Sequence, residues 1–203
     1  MPYLVRRPIR RVLCALLGAG LFAGAIPAVA GACTLPATGS AVFSSFGDSA
    51  HYSLAPNGSF EAGTSGWSLT GASVVSGNES FFLNSPIDSH SLSFGATGSA
   101  VSPPVCVGIT TPTFRFIARR TSGSWAQMNV NLLWTDASGA AHTTTAGSVN
   151  GTTGWSASSV MNLGSTLPLW QPGSTLPVRI QFLPAQYGGN WTIDDVYIDP
   201  YAR

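Results

Sequence analysis

Alternating apolar and polar positions mark three segments of the chain as half-buried β-strands. Segments 113–119, 127–134 and 178–183 each place an apolar side chain at every second position. A period of two with one apolar face is typical of an antiparallel strand that covers a core on one side. After residue 30, no segment carries the apolar stripe of a helix, apart from a short turn expected near 167–171. Together with several further short strands separated by Gly/Pro turns, the pattern predicts an all-β domain, an antiparallel β-sandwich or jelly roll.

The segment 191–200 has the composition of a strand, but two adjacent carboxylates, Asp194 and Asp195, lie in its middle. Strict alternation sends the two side chains to opposite faces, so we expect one of them at the packed side or at its rim. An unpaired buried charge is very unfavourable, so that carboxylate needs a partner. Because the chain has no lysine and few arginines, a metal ion is a candidate for this partner.

The first 30 residues have the pattern of a secretory signal. Four arginines precede an apolar run at 12–26, and small residues at 28–30 suit a cleavage site. The apolar run is shorter than the roughly 20 residues of a membrane-spanning helix, and Gly and Pro interrupt it, so we expect no membrane span. We expect a secreted protein in which 1–30 is the signal, 31–50 an N-terminal arm and 51–203 the β-sandwich domain.

Two cysteines, Cys33 and Cys106, remain once Cys14 leaves with the signal. An isolated pair in an exported protein predicts one disulfide. The alternative is a lipidated Cys33 with a free Cys106, since the small residues before Cys33 weakly resemble a lipoprotein box. That box lacks its usual large aliphatic residue, so we do not expect a lipid anchor at Cys33.

Charge excludes one class of partner. The whole chain has a formal net charge of +1, but four of its nine basic residues lie in the signal while all eight acidic residues follow it. The remaining domain is therefore acidic and has no basic patch, which argues against a nucleic-acid partner.

A row of hydrogen-bonding side chains lies opposite the apolar positions of the three alternating strands. The row comprises Arg115, Gln127, Asn129, Arg179 and Gln181. Guanidinium and planar amide groups offer paired hydrogen bonds that match vicinal hydroxyls. If these strands share a concave sheet, the row lines a groove for a sugar chain; an ordinary solvated sheet face is the alternative.

Two tryptophans, Trp125 and Trp170, lie in Gly-, Ser- or Pro-flanked segments where we expect exposed rings. Aromatic rings line many ligand sites, so either ring could serve as a stacking platform for a sugar. Packing within the core or a loop is the alternative for each ring.

Both ends of the domain carry motifs of a known family. The stretch 57–63 reads Asn-Gly-Ser-Phe-Glu-Ala-Gly, Gly-Trp follows at 66–67, and the last strand at 191–197 reads Trp-Thr-Ile-Asp-Asp-Val-Tyr. Together these resemble the two ends of a galactose-binding-like jelly roll, in a pattern similar to carbohydrate-binding modules appended to xylanases and glucanases. The resemblance spans about residues 54–200, and the chain also resembles uncharacterised secreted actinobacterial proteins.

The resemblance implies a structural calcium ion bound by Glu61 and Asp194. Asp88 matches a region that supplies further ligands in some of these modules. Calcium binds six to eight oxygens and accepts both carboxylates and backbone carbonyls, so these residue types suit the ion. The alternative is that Glu61 caps backbone amides and Asp194 pairs with an arginine.

Catalysis has little support in the sequence. The chain has no Gly-x-Ser-x-Gly elbow, no His-Glu-x-x-His motif and no phosphate-binding loop. We therefore expect a secreted, non-catalytic module that binds extracellular glycan and contains a structural calcium. A structural or adhesive cell-surface protein that binds proteins or itself is the alternative.

Overall fold

The structure is a computed structural model that describes residues 33, 39–108, 113–163, 167, 175–185 and 188–199. The segment 1–30 and Trp170 lie outside these residues, so the signal and the exposure of Trp170 stay predictions. The described chain forms eleven strands and one short 3-10 turn at Ser44–Phe46. The strands are β1 Ser53–Leu54, β2 Ser68–Ser76, β3 His90–Val101, β4 Val105–Val107, β5 Thr113–Arg120, β6 Gln127–Thr135, β7 Ala141–Asn150, β8 Ser156–Ala157, β9 Met161–Asn162, β10 Leu176–Pro184 and β11 Trp191–Asp199.

The strands form one curled antiparallel sheet in the order β7-β6-β10-β3-β11-β5-β8. The long strand β3 connects its two halves, because residues 92–94 pair with β11 while residues 100–101 pair with β10. The main core contains Phe116 of β5 and Ile193 of β11 together with Val130 of β6 and Ile180 of β10. The predicted all-β jelly-roll sandwich is therefore confirmed.

The three strands predicted from alternation are confirmed as β5, β6 and β10. The segment 155–163 forms only the two-residue strands β8 and β9 on either side of Ser158. The Ser158 carbonyl and hydroxyl bind the Arg115 side chain and the Phe116 amide, which takes the backbone out of regular pairing there.

A second, smaller apolar cluster covers the outer face of β5 and β11. Phe43 and Tyr52 pack there against Ile117 and Tyr197, and Phe43 lies edge-on to both tyrosine rings. Backbone hydrogen bonds between Ser40 and Tyr52 pin the preceding segment beside β1. The division of the chain at residues 30 and 50 stays a prediction, but residues 40–54 pack on the sheet.

The predicted disulfide between Cys33 and Cys106 is present. It joins the start of the described chain to β4 in the middle of the domain. The same sulfur cannot carry a lipid, so the alternative of a lipidated Cys33 with a free Cys106 does not apply to this structure. Within the described ranges, no helix is long and apolar enough to cross a membrane.

A β-bulge in β11 changes the faces of its two carboxylates. The register against β5 shifts between Asp194 and Tyr197, and Asp195 has a left-handed φ of 49°. Ile193 and Val196 both face the main core as a result, although they are three residues apart. The bulge adds one residue to the alternation. The prediction that the two aspartates lie on opposite faces is therefore wrong: both side chains interact with the same carboxylate, Glu79.

Candidate functional sites

Three carboxylates are buried together where the loop 77–89, which connects β2 and β3, packs on β11. Glu79 and Asp194 are fully buried, and Asp195 is 1% exposed. We call these three residues the acidic cluster. No arginine or histidine is hydrogen-bonded to them among the described residues.

Backbone amides provide the hydrogen bonds of the acidic cluster. The Glu79 amide donates to Asp194 over 3.0 Å, and the Asn84 amide donates to Asp195 over 3.2 Å. The Glu79 carboxylate accepts from the amides of Leu83, over 2.6 Å, and Phe81. The cluster therefore fixes the conformation of residues 79–84. One oxygen, Oδ1 of Asp195, is buried and has no hydrogen-bond partner in the described structure.

Burial raises the pKa values of both aspartates in the acidic cluster. Desolvation, reinforced by the charge of Asp195, raises the pKa of Asp194 to about 9. Desolvation, reinforced by the charge of Glu79, raises the pKa of Asp195 to about 7. A bound proton or a bound cation would stabilise such a cluster, because both offset its negative charge.

Glu61 has different partners from Asp194. Its carboxylate accepts hydrogen bonds from the backbone amides of Ser89 and His90, over 2.8 and 2.7 Å, and contacts the His90 ring over 2.9 Å. Partial burial alone would raise the pKa of Glu61, but the His90 ring and the two amides outweigh it and lower the pKa. Glu61 thus caps backbone amides, as the alternative prediction for this residue had it.

Asp88 lies in the loop 77–89, which is hydrogen-bonded both to Glu61 and to the acidic cluster. It directly precedes Ser89, which binds Glu61, and its charge is among the causes that raise the pKa of Asp195. The three predicted calcium ligands therefore share one end of the domain. Among the residues that the structure describes, no three acidic, histidine or cysteine side chains are placed to hold a metal ion. The calcium site with Glu61, Asp88 and Asp194 stays a prediction.

The motif 57–67 folds into a compact loop around Asn57. Asn57 has a left-handed φ of 50°, and its side chain binds the Ala62 amide and the carbonyls of Gly63 and Ser65. The Trp67 indole donates to the Asn57 carbonyl. The carbonyls of Gly63 and Ser65 therefore already accept hydrogen bonds from within the loop.

The polar row predicted from the sequence is present on β6 and β10 and continues onto β7. We call it the polar face. It comprises Gln127, Asn129, Asn131, Thr145, Ser148, Asn150, Arg179 and Gln181. The Asn131 amide donates to Gln181 over 3.2 Å, and the Gln127 amide donates to Asn150 over 3.1 Å. These bonds hold the amide planes in place across neighbouring strands.

Arg115 is not part of the polar face. In the sheet order, β11 and β3 lie between its strand and β10. Its side chain is buried, donates to the Ser158 carbonyl and forms a 3.0 Å ion pair with Asp48. Its guanidinium also stacks on the Phe43 ring. The expectation that Arg115 lines a groove with Gln127 and Arg179 is wrong, because Arg115 anchors the segment 43–52 instead.

Trp125 is 85% exposed, as its loop position predicted. It lies two residues before Gln127, at the end of β6 where the polar face begins. Close packing supports its loop: a Cβ on Gly189 would lie 2.3 Å from the Ala126 side chain, and a Cβ on Gly123 would lie 3.0 Å from the Gly189 Cα. The ring is therefore presented to solvent by a tightly packed loop.

Sequence reasoning missed several residues of these sites. Glu79 lies in a polar loop, and nothing in its neighbourhood signals burial. The segment 141–150 is rich in Ala, Gly and Thr and lacks a clear alternation of apolar and polar residues, so the β7 contribution to the polar face has no sequence signal. The hydrogen bonds from the Phe81 and Leu83 amides to Glu79 depend on the path of the loop and have no sequence signal either.

The chain matches no protein-family model and no curated protein. Solved structures share its fold. The CBM22-1 xylan-binding domain of Paenibacillus barcinonensis Xyn10C aligns with a TM-score of 0.50 at 13% identity, over 71% of this chain and 93% of that one. The CBM22-1–CBM22-2 tandem of the same protein aligns with a TM-score of 0.51 at 14% identity, over 74% of this chain and 45% of that one. The domain therefore has the jelly-roll fold of carbohydrate-binding modules.

Proposed function

We propose that this protein is a secreted, non-catalytic module that binds extracellular carbohydrate on the polar face. The observation that carries the proposal is the arrangement of planar amides on β6 and β10, together with an exposed Trp125 ring two residues before Gln127. The amides are aligned across strands by their own hydrogen bonds, so a bound sugar orders few side chains.

The chemistry of the polar face suits a neutral polysaccharide. Each amide offers both a donor and an acceptor, and hydroxyl pairs on a pyranose ring need both. Arg179 uses one donor on the Ser102 carbonyl and carries further donors on the same guanidinium group. Trp125 provides an apolar surface for the C–H face of a sugar ring.

Affinity gel electrophoresis tests this function. The panel of soluble polysaccharides begins with xylan, because one structural neighbour is named as xylan-binding. We expect a polysaccharide of the panel to retard the wild-type protein and to retard Trp125→Ala and Gln127→Ala much less. Ile87→Ala is the matched control, since Ile87 is 86% exposed on a different loop. Equal retardation of all variants, or of none by any polysaccharide, contradicts the proposal.

A structural calcium ion forms part of the proposal, with Glu61, Asp88 and Asp194 as its ligands. The acidic cluster supports it, because no arginine or histidine of the described residues is hydrogen-bonded to it and Oδ1 of Asp195 has no described partner. Calcium would supply charge compensation and bind the 77–89 loop to β11. To bind the ion, the Glu61 carboxylate would have to give up its hydrogen bonds to Ser89 and His90.

A structural or adhesive role is the second candidate, because the loop 77–89 exposes apolar side chains. Phe81 is 41%, Phe82 49% and Ile87 86% exposed. Exposed apolar groups that lie close together often mark contact surfaces. Sedimentation of the wild type and Phe82→Ser over a range of concentrations separates the candidates: this role requires self-association that the variant loses.

A further inference from the structure

A polar cavity of about 400 Å³ lies on the outer face of β11, away from the polar face. The segment 39–42, β1, the loop residues Leu83 and Asn84, and Tyr197 line it. Tyr197 packs in the outer apolar cluster, while the polar face lies outside the other half of the sheet, so the main core separates the two places. The volume falls within the range of about 300–1,000 Å³ that small-molecule sites occupy.

The cavity is held open by its own walls. Ser40 and Tyr52 exchange two backbone hydrogen bonds of 3.0 and 2.8 Å, which fix the segment 39–42 beside β1. The approach is so close that a Cβ on Gly39 would lie 2.3 Å from the Tyr52 carbonyl oxygen. The Tyr52 hydroxyl is in turn bound to Asp48 over 2.7 Å. This wall of the cavity is therefore preformed, and a ligand does not need to order it.

The lining combines hydroxyl and amide groups with apolar surface. Tyr197 and Asn84 are lining residues with polar groups, and Leu54 and Leu83 are aliphatic ones. A tyrosine hydroxyl is protonated at neutral pH and can both donate and accept a hydrogen bond. Such a mixture suits one sugar ring, which presents hydroxyls at its rim and C–H groups on its faces.

Charge narrows the class of ligand. The nine lining residues include no arginine, lysine or histidine. Asn84 is bound to the Asp88 carboxylate over 2.7 Å. A ligand carboxylate would therefore find no cationic partner among the nine lining residues, whereas a hydroxyl or ammonium group needs none.

We propose that this cavity is a second carbohydrate site, which binds a single neutral or amino-sugar residue and rejects a uronic acid. The site is separate from the polar face, because its nine lining residues include neither Trp125 nor Gln127. It would capture one sugar unit, while the polar face has the breadth for an extended chain.

Nuclear magnetic resonance titration with D-glucose, D-glucosamine and D-glucuronic acid tests the site, since the three probes share one ring stereochemistry and differ in charge. We expect saturable shifts of the Ser40, Leu83 and Asn84 amides with glucose and glucosamine, and binding of glucuronic acid at least tenfold weaker. Saturable binding of all three probes with equal affinity, or no saturable shift with any of them, overturns the proposal.

Two variants test the location. Ser40→Trp places a large side chain at an exposed lining position, and Tyr197→Phe removes only the hydroxyl. We expect each to weaken glucosamine binding at least tenfold, with thermal stability as the check on folding. Trp125→Ala is the matched control and must leave monosaccharide binding unchanged. If Trp125→Ala abolishes it, the sugar binds at the polar face and the second site does not exist; if polysaccharide binding fails while these shifts persist, only the proposed function fails.

Discussion

The backbone amide of Glu79 donates a 3.0 Å hydrogen bond to the carboxylate of Asp194, across 115 residues of sequence. This contact fixes the loop between β2 and β3 on the last strand. It also brings the Glu79 carboxylate next to the Asp194–Asp195 pair, so three buried acids share one location. A proton or cation that offsets the negative charge of the acidic cluster will therefore also affect the conformation of this loop.

Calcium is expected to stabilise the wild-type protein and to have no effect on Asp194→Asn. An ion that binds only the folded state at 100 times its Kd adds about 2.7 kcal/mol to the free energy of unfolding. Thermal denaturation in calcium and in chelator measures the difference. Asp136→Asn is the control, because Asp136 lies in the turn between β6 and β7.

The same series tests the predicted ligand set. If Glu61 and Asp88 bind the ion, Glu61→Gln and Asp88→Asn also lose the calcium response. A response that survives in Glu61→Gln but not in Asp194→Asn would assign the ion to the acidic cluster alone. A calcium response of Asp194→Asn equal to that of the wild type would contradict a site at this end of the domain.

The ion pair of Asp48 with Arg115 is expected to contribute to stability only above acidic pH. Burial opposes ionisation of Asp48, but hydrogen bonds from Tyr52, Ala50 and Arg115 outweigh it and lower its pKa below the ordinary value of 3.8. A lowered pKa adds stability that is present above the unfolded-state pKa and is lost as pH falls through the folded-state pKa.

Asp48→Asn measures this contribution. We expect the variant to lose about 3 kcal/mol at pH 7, because it leaves the buried Arg115 charge without its carboxylate. The difference from the wild type should shrink as the pH falls through the folded-state pKa of Asp48, since Asp48 is then protonated in both the folded and the unfolded protein. Urea denaturation at several pH values checks this, and a difference that does not depend on pH would contradict the assignment.

Asn57 is expected to tolerate no substitution well, for two separate reasons. Its φ of 50° favours glycine or asparagine, and its side chain makes three hydrogen bonds within the loop 57–67. Asn57→Gly removes only the bonds, whereas Asn57→Ala also adds backbone strain of about 1–2 kcal/mol. Chemical denaturation should therefore rank wild type above Asn57→Gly and Asn57→Gly above Asn57→Ala; equal stability of the two variants would exclude the strain.

The disulfide is expected to stabilise the domain through its long loop. Cys33 and Cys106 are 73 residues apart, and closing such a loop is worth roughly 4 kcal/mol on the chain-entropy model. The double variant Cys33→Ser/Cys106→Ser should unfold at lower denaturant concentration than the wild type under non-reducing conditions. Under reducing conditions the two should coincide, and a difference that persists there would show that the serines perturb packing.

Alternation predicts strands well where one face is covered and the other is solvated. Phe114, Phe116 and Ala118 alternate with Arg115 and therefore identify β5 from sequence. Alternation could not show that Arg115 is buried on the second face, because the partner that covers it, Asp48, comes from a distant segment of no clear period. The bulge at Asp195 is equally hidden, since an aspartate in a strand carries no signal of a positive φ.

The candidate sites were predictable to different degrees. Gln127, Asn129 and Gln181 share a face because each lies opposite an apolar position, and residue spacing alone places them there. The acidic cluster depends on Glu79, whose loop returns to β11 through hydrogen bonds of its backbone. Such contacts depend on the path of the chain rather than on residue type, so the sequence pattern does not contain them.

Chemical-shift mapping with an oligosaccharide of the best-retarding polysaccharide tests carbohydrate binding on the polar face most directly. We predict perturbed side-chain amides of Gln127, Asn129 and Gln181 and a perturbed Trp125 indole at saturation. Signals of Asp136 and its turn should remain unchanged. Binding that leaves the polar face unperturbed, or the absence of binding to every polysaccharide of the panel, would contradict the account.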